Sequence, residues 1–133
     1  MLNDKIKSII DDYYSELQHA FITGKIDFKK LHLADNVQVI APTESFVGKK
    51  TVENMFIAFI TVVKHFDIQR QYCDNESCCT VMDCVTKRSP YHIATIEWIK
   101  VVDDKITEIH PVYDTLAWHN MLASQQQHNA EKK

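Results

Sequence analysis

Residues 92–114, HIATIEWIKVVDDKITEIHPVYD, alternate in hydropathy with a period of two on either side of an Asp-Asp pair. That period belongs to half-buried strands, and two aspartates between two such runs are a turn signal. The stretch therefore reads as an antiparallel hairpin. Just upstream, FDIQRQYC (66–73) and CCTVMDCVTK (78–87) share the period and flank a second turn, DNES, while RSPY (88–91) fills the remaining gap. Four successive strands joined by short turns predict an antiparallel meander.

Before the meander the period is helical. NDKIKSIIDDYYSELQHAFITG (3–24) places Ile6, Ile9, Ile10, Tyr13, Leu17, Ala20 and Phe21 on one stripe. Asn3 or Asp4 can cap its start, and Gly24 offers a left-handed stop. DFKKLHLA (27–34) reads as a short helix capped by Asp27, NVQVIAP (36–42) as a strand ending at Pro42, and TESFVGKK (43–50) as a loop or small hairpin around Gly48. TVENMFIAFITVVKH (51–65) is apolar over a wide arc, through Val52, Met55, Phe56, Phe59, Ile60 and Val63. It predicts a helix buried on more than half its circumference and laid across a sheet. After the meander, TLAWHNML (115–122) reads as a closing helix, and ASQQQHNAEKK (123–133) as a disordered polar tail. The expectation is one α+β domain over residues 1–122, with a strongly curved antiparallel sheet wrapped around a long helix. Such a sheet leaves a conical cavity, a ready small-molecule pocket.

With 133 residues and 45% hydrophobic composition, the chain can bury a real core. A formal net charge of −3 and a pI near 6.1, with scattered lysines, argue against nucleic acid or an anionic membrane as partner. Asn3, Asp4, Lys5 and Lys7 interrupt any apolar leader, and nothing approaches a membrane span, so a cytoplasmic protein is expected. Cysteines 73, 78, 79 and 84 form no CxxC pair, and no metal site is expected. Cys73 and Cys78 could face each other across a hairpin, but in the cytosol the reduced state is the expectation. No Gly-rich phosphate loop, GxSxG elbow or HExxH is present, and no cofactor is implied.

Three stretches, LHLADNVQVIAP (31–42), FVGKKTVENMF (46–56) and VVDDKITEIHPVYDTLAWHNML (101–122), resemble in order and spacing the nuclear transport factor 2-like (cystatin-like) superfamily. The last is most similar to its SnoaL-like, polyketide cyclase-related branch. The resemblance covers most of residues 5–122. It implies a pocket inside the cone, a homodimer through the outer sheet face, and a cofactor-independent isomerase, cyclase or dehydratase acting on a small apolar or carbonyl-bearing molecule. The same fold also hosts non-catalytic binders and dimeric interaction modules. In cyclase-like members an aspartate near the end of the final strand is the acid/base, and Asp114 matches it. Two departures stand out. Asp104 occupies a turn position where glycine is usual and would have to accept a left-handed or altered turn. Ile109, His110 and Pro111 stand where the family often carries an aromatic residue.

Asp114 in a dry pocket could move a proton next to a carbonyl, since burial raises a carboxyl pKa. As a strand-ending aspartate it could equally cap the closing helix. His110 is its candidate catalytic partner or a structural histidine. Strict alternation sets Ile106, Glu108, His110, Val112 and Asp114 on one face. A bulge at Pro111 would flip this, so that Ile109, Val112 and Asp114 share the pocket. Tyr14, Trp98, Tyr72 and Tyr113 could orient a ligand, Tyr14 foremost because a hydroxyl on a packed helix needs a buried partner. Phe56, Phe59 and Met82 are candidate apolar lining or simply core. Asp83 reads as an outward carboxylate on the dimer side, and His92 as a residue near the cone mouth.

Overall fold

A computed structural model describes residues 2–88 and 92–131. In it the Asp-Asp pair closes a two-residue turn with both residues left-handed, Asp103 at φ 50° and Asp104 at φ 63°. Aspartate tolerates that region better than most residues, and the turn's twist suits the flanking strands. Those strands are β5 (His92–Val102) and β6 (Lys105–Tyr113). Before them come β3 (Val63–Cys73) and β4 (Ser77–Thr86), and the meander β3-β4-β5-β6 is antiparallel throughout. Of the RSPY gap, residues 89–91 lie outside the described residues, as do the last two residues of the polar tail.

The N-terminal half supplies α1 (Leu2–Thr23), a 3-10 turn (Phe28–Leu31), β1 (Leu33–Ile40), β2 (Ser45–Val47) and α2 (Lys49–Phe59). Asp27 caps the 3-10 turn, its Oδ1 accepting the Lys29 N–H at 3.1 Å. The sheet order is β2-β1-β6-β5-β4-β3. One pairing corrects the antiparallel expectation: β1 runs parallel to β6. Only tight turns enforce antiparallel neighbours, and the chain between these two strands includes α2 and three other strands of the meander.

The predicted helix over 51–65 also divides differently. It ends at Phe59, and β3 starts at Val63. Thr61, Val62 and Val63 are β-branched, and a short apolar run serves a buried helix or a strand equally well, so periodicity did not locate the switch. Extra residues in β3 and at Thr107 in β6 break the register. Such bulges bend strands and raise their twist, which curls the sheet around the helices.

The predicted stripe of α1 is buried, with Ile10, Leu17 and Ala20 fully sequestered. Each large apolar side chain so buried contributes about 1.5–3 kcal/mol. The Gln18 amide docks α1 on the sheet edge, donating to Phe66 O at 2.7 Å and accepting the Phe66 N–H at 2.9 Å. These contacts set the rotation of α1 and hence where Tyr13 and Tyr14 point.

At the other end, α3 (Thr115–Glu131) runs well past 122. Its backbone is helical through most of the stretch expected to be a disordered tail. Ala123, Gln125, Gln126, Gln127, Ala130 and Glu131 are all good helix formers.

Cys73 and Cys78 form a disulfide across the β3–β4 hairpin, which corrects the expectation of reduced thiols for this pair. The turn itself brings them together. Asp74 Oδ1 accepts the backbone N–H groups of Glu76 and Ser77 at 2.9 and 2.7 Å, and Cys73 is register-paired with Cys78. Cys79 and Cys84 are free thiols. Among the described residues no helix is long and apolar enough to cross a membrane.

Candidate functional site

Alternation along β5 turns Ile93, Thr95, Glu97, Ile99 and Val101 toward the helices. Four of these suit a core, and the fifth is a glutamate only 8% exposed. Directly above it α1 presents consecutive tyrosines, whose rings meet edge to face at 4.9 Å. Both hydroxyls donate to Glu97 Oε1, Tyr13 at 3.2 Å and Tyr14 at 2.9 Å. Oε2 takes no hydrogen bond from the described residues.

Burial pushes the Glu97 carboxyl up to about 7, the two tyrosine hydroxyls offsetting part of that rise. Desolvation outweighs hydrogen bonding, and among the described residues no cation offsets it. Burial, and then the neighbouring Glu97 charge, raise both tyrosines well above the ordinary phenol value, so they stay neutral donors. A carboxyl that titrates near neutrality can serve as base and as acid in one turnover.

Glu97 and Tyr13 form part of the wall of a cavity of about 440 Å³. That volume accommodates a small organic molecule. Phe46, Met55, Phe56, Phe59, Phe66, Met82, Ile93, Ile109, Tyr113 and Trp118 make most of the wall apolar. Its polar members include Thr61, Thr95, Glu44 and Glu97, and among the described residues lining it there is no Lys, Arg or His. Such a wall disfavours anionic ligands. Cys84 also lines it, but burial pushes its thiol up to about 12, which makes it a poor nucleophile. At the C-terminal end Trp118 of α3 stacks on Phe59 at 6.1 Å and meets Tyr113 edge-on at 5.9 Å. Burial and the Glu44 charge raise the Tyr113 phenol. No group of residues suited to hold a metal ion is found among the described residues.

Of the residues singled out from the sequence, Phe56, Phe59 and Met82 line the cavity, as does Tyr113. Tyr14 is buried, with Glu97 as its hydroxyl partner. The others lie elsewhere. Asp114 is exposed and Oδ1 accepts the Ala117 N–H at 3.0 Å, so the side chain caps α3 and does not line the cavity. Trp98, Tyr72 and His110 sit on the outer sheet face. There His110 packs against Trp98 at 5.0 Å and its Nε2 lies 3.1 Å from Glu108 Oε1. Asp83 shares that face and pairs with His92 at 2.9 Å.

The parity of β6 explains the division. Its bulge lies at Thr107, not at Pro111, so Ile109, Pro111 and Tyr113 face the cavity while His110 and Val112 face away. Pro111 falls beyond the last β1 partner, Val39 opposite Ile109, so no β1 residue is paired with it, while on its other side it pairs with Glu97 of β5.

Glu97 was absent from the sequence-derived candidates. Its signal was a lone carboxylate on the Ile93, Thr95, Ile99, Val101 parity. That parity was ambiguous because Ala94, Ile96, Trp98 and Val102 make the other face of β5 apolar too.

No family model and no curated protein matches the sequence. Solved structures do match, and they show the fold to be NTF2-like. An NTF2-like protein from Burkholderia xenovorans superposes with a TM-score of 0.68 at 18% identity, covering 90% of this chain and 96% of that one. A protein from Kribbella flavida provisionally named a ketosteroid isomerase gives 0.66 at 13% identity, over 84% and 79% of the two chains. One from Sinorhizobium meliloti provisionally named a polyketide cyclase gives 0.66 at 10% identity, over 78% and 93%.

Proposed function

We propose that the chain is a small-molecule enzyme of the isomerase or cyclase type, in which Glu97 moves a proton on a largely apolar, carbonyl-bearing molecule held in the cavity. The observation that carries this reading is a single buried carboxyl, poised near neutrality, in an apolar wall and held by two tyrosine hydroxyls. The ionised carboxylate would take a proton from the carbon next to the carbonyl, leaving an enolate. The carboxylic acid so formed would return that proton at the same or a conjugated carbon, so atoms and charge balance without a co-reactant. The tyrosines hold the carboxyl in place, and the apolar wall excludes water that would compete for the proton. The names of the Kribbella and Sinorhizobium proteins agree with chemistry of this kind. The outer face of the sheet, with Tyr72, Ile96 and Val112 exposed at 61%, 46% and 61%, supports a homodimer through that face.

The test is exchange of the α-protons of a panel of aryl and alicyclic ketones with heavy water, followed by NMR. Wild type should accelerate exchange of at least one member, and Glu97→Gln should lower that rate at least about 100-fold. Asp114→Asn, which keeps a good cap, should leave it unchanged. A second reading, a binder without turnover, is favoured by the same apolar wall. Ketones that bind without accelerated exchange would establish it and sink the enzymatic one.

A further inference from the structure

The inner face of β4 sets the hydroxyl of Thr80 in the middle of an apolar row. Cys78, Met82 and Cys84 are buried there, and so is Thr80, which is fully sequestered directly opposite Glu97 in the β4–β5 ladder. A hydroxyl that merely filled space would leave its polar atoms unpaired, a cost that valine of nearly the same shape would avoid. Thr80 has a polar neighbour on both sides. Gln71 of β3 donates from Nε2 to Thr80 Oγ1 at 3.2 Å, and the Thr80 hydroxyl, a donor toward the Tyr14 oxygen, offsets part of the rise that burial imposes on that phenol. Tyr14 in turn donates to Glu97 Oε1 at 2.9 Å.

The direction of this chain is set at its two ends. A carboxylate only accepts, so Tyr14 must give its proton to Glu97 and can offer Thr80 nothing but its oxygen. At the far end the Gln71 amide nitrogen only donates, so Thr80 accepts from it and directs its one proton at Tyr14. We propose that Thr80 is a positioning residue of the site, whose hydroxyl fixes the direction of the Tyr14 proton and strengthens Tyr14 as the donor to Glu97. This inference rests on the reading of Glu97 as the reacting carboxyl. Donors in series polarise one another by about 10–30% per bond. The remaining groups around Glu97 leave that influence unmasked. Tyr13 on α1 donates to the same oxygen, Cys84 on β4 is a thiol kept neutral by burial, and β6 opposes Glu97 with Pro111.

The experiment follows the Glu97 carboxyl carbon by NMR through a pH titration of glutamate-labelled protein without ligand. Thr80→Val should move the Glu97 midpoint upward by about half a pH unit, because a weaker Tyr14 donor stabilises the carboxylate less. Thr80→Ser, which keeps the hydroxyl, should return it to the wild-type value. A midpoint unmoved in folded Thr80→Val overturns the proposal. So does a shift that Thr80→Ser fails to reverse, since packing and not the hydroxyl would then be responsible. Should Thr80→Val not fold, Gln71→Leu at the half-buried sheet edge takes its place, with a smaller upward shift expected and none overturning the proposal. The readout needs no turnover, so an active Glu97→Gln enzyme would sink the functional reading, whereas an unmoved midpoint would sink only the role of Thr80.

Discussion

Glu97 is buried in a wall whose described residues carry no cation, and its titration is coupled to folding. Its carboxyl lies near 7 in the folded chain against an ordinary value of 4.5. The folded state therefore holds the proton more tightly, and between those values it carries more bound protons than the unfolded chain. Stability is then complete below about pH 4.5, falls as pH rises toward 7, and levels off above it, a loss of about 3 kcal/mol from this one group. Glu97→Gln removes the titration while keeping acceptors for Tyr13 and Tyr14. Thermal melts from pH 5 to 8 should show wild type losing stability across that window and the variant nearly flat, with the variant the more stable at pH 8. Parallel curves would place the Glu97 titration outside that range. Asp114 shows the opposite case at the same scale. Its carboxylate is exposed and capping a helix, so a position suited by sequence to catalysis serves structure here.

The β3–β4 hairpin is closed twice, by the Asp74 turn and by the Cys73–Cys78 disulfide. So short a loop gains about 2 kcal/mol at most from its crosslink, since few conformations of the unfolded chain are removed. Dithiothreitol should lower the melting temperature of wild type by several degrees and leave Cys73→Ala/Cys78→Ala unaffected. Equal melting with and without reductant would show that the Asp74 turn alone holds the hairpin. The strands of this meander were legible because each short turn dictates its neighbour. The parallel β1–β6 pair was not, because a long connection carries no register, and the helix end at Phe59 was hidden by β-branched residues that suit either state. In the site, the packed helix drew attention to Tyr14 beside Tyr13 of the stripe, whereas their partner Glu97 required knowing which face of β5 points inward. The bulge at Thr107 reversed parity four residues before Pro111 drew attention to it, and this put His110 and Asp114 outside the cavity.

What obscured Glu97 in the sequence is also a property of the whole molecule: β5 is apolar on both faces. The inner face makes the cavity, and the outer one gathers Ile96 and Trp98 beside Tyr72, Val112 and His110. An apolar sheet face of this kind left in water supports the proposed homodimer. The pairs His92–Asp83 and His110–Glu108 lie on the same face and set polar groups among the apolar ones, as at an interface rim. The proposed homodimer would cover it while leaving the cavity, on the opposite side of the sheet, open to ligand. Ile96→Asp, adjacent in sequence to Glu97 but pointing the other way, separates the two faces. Sedimentation should find wild type dimeric and Ile96→Asp monomeric, with the Glu97 midpoint preserved because the side chains lie on opposite sides of β5. A wild type that sediments as a monomer at all concentrations would remove the dimer, and a displaced midpoint in a folded variant would mean that the two faces of the sheet are coupled.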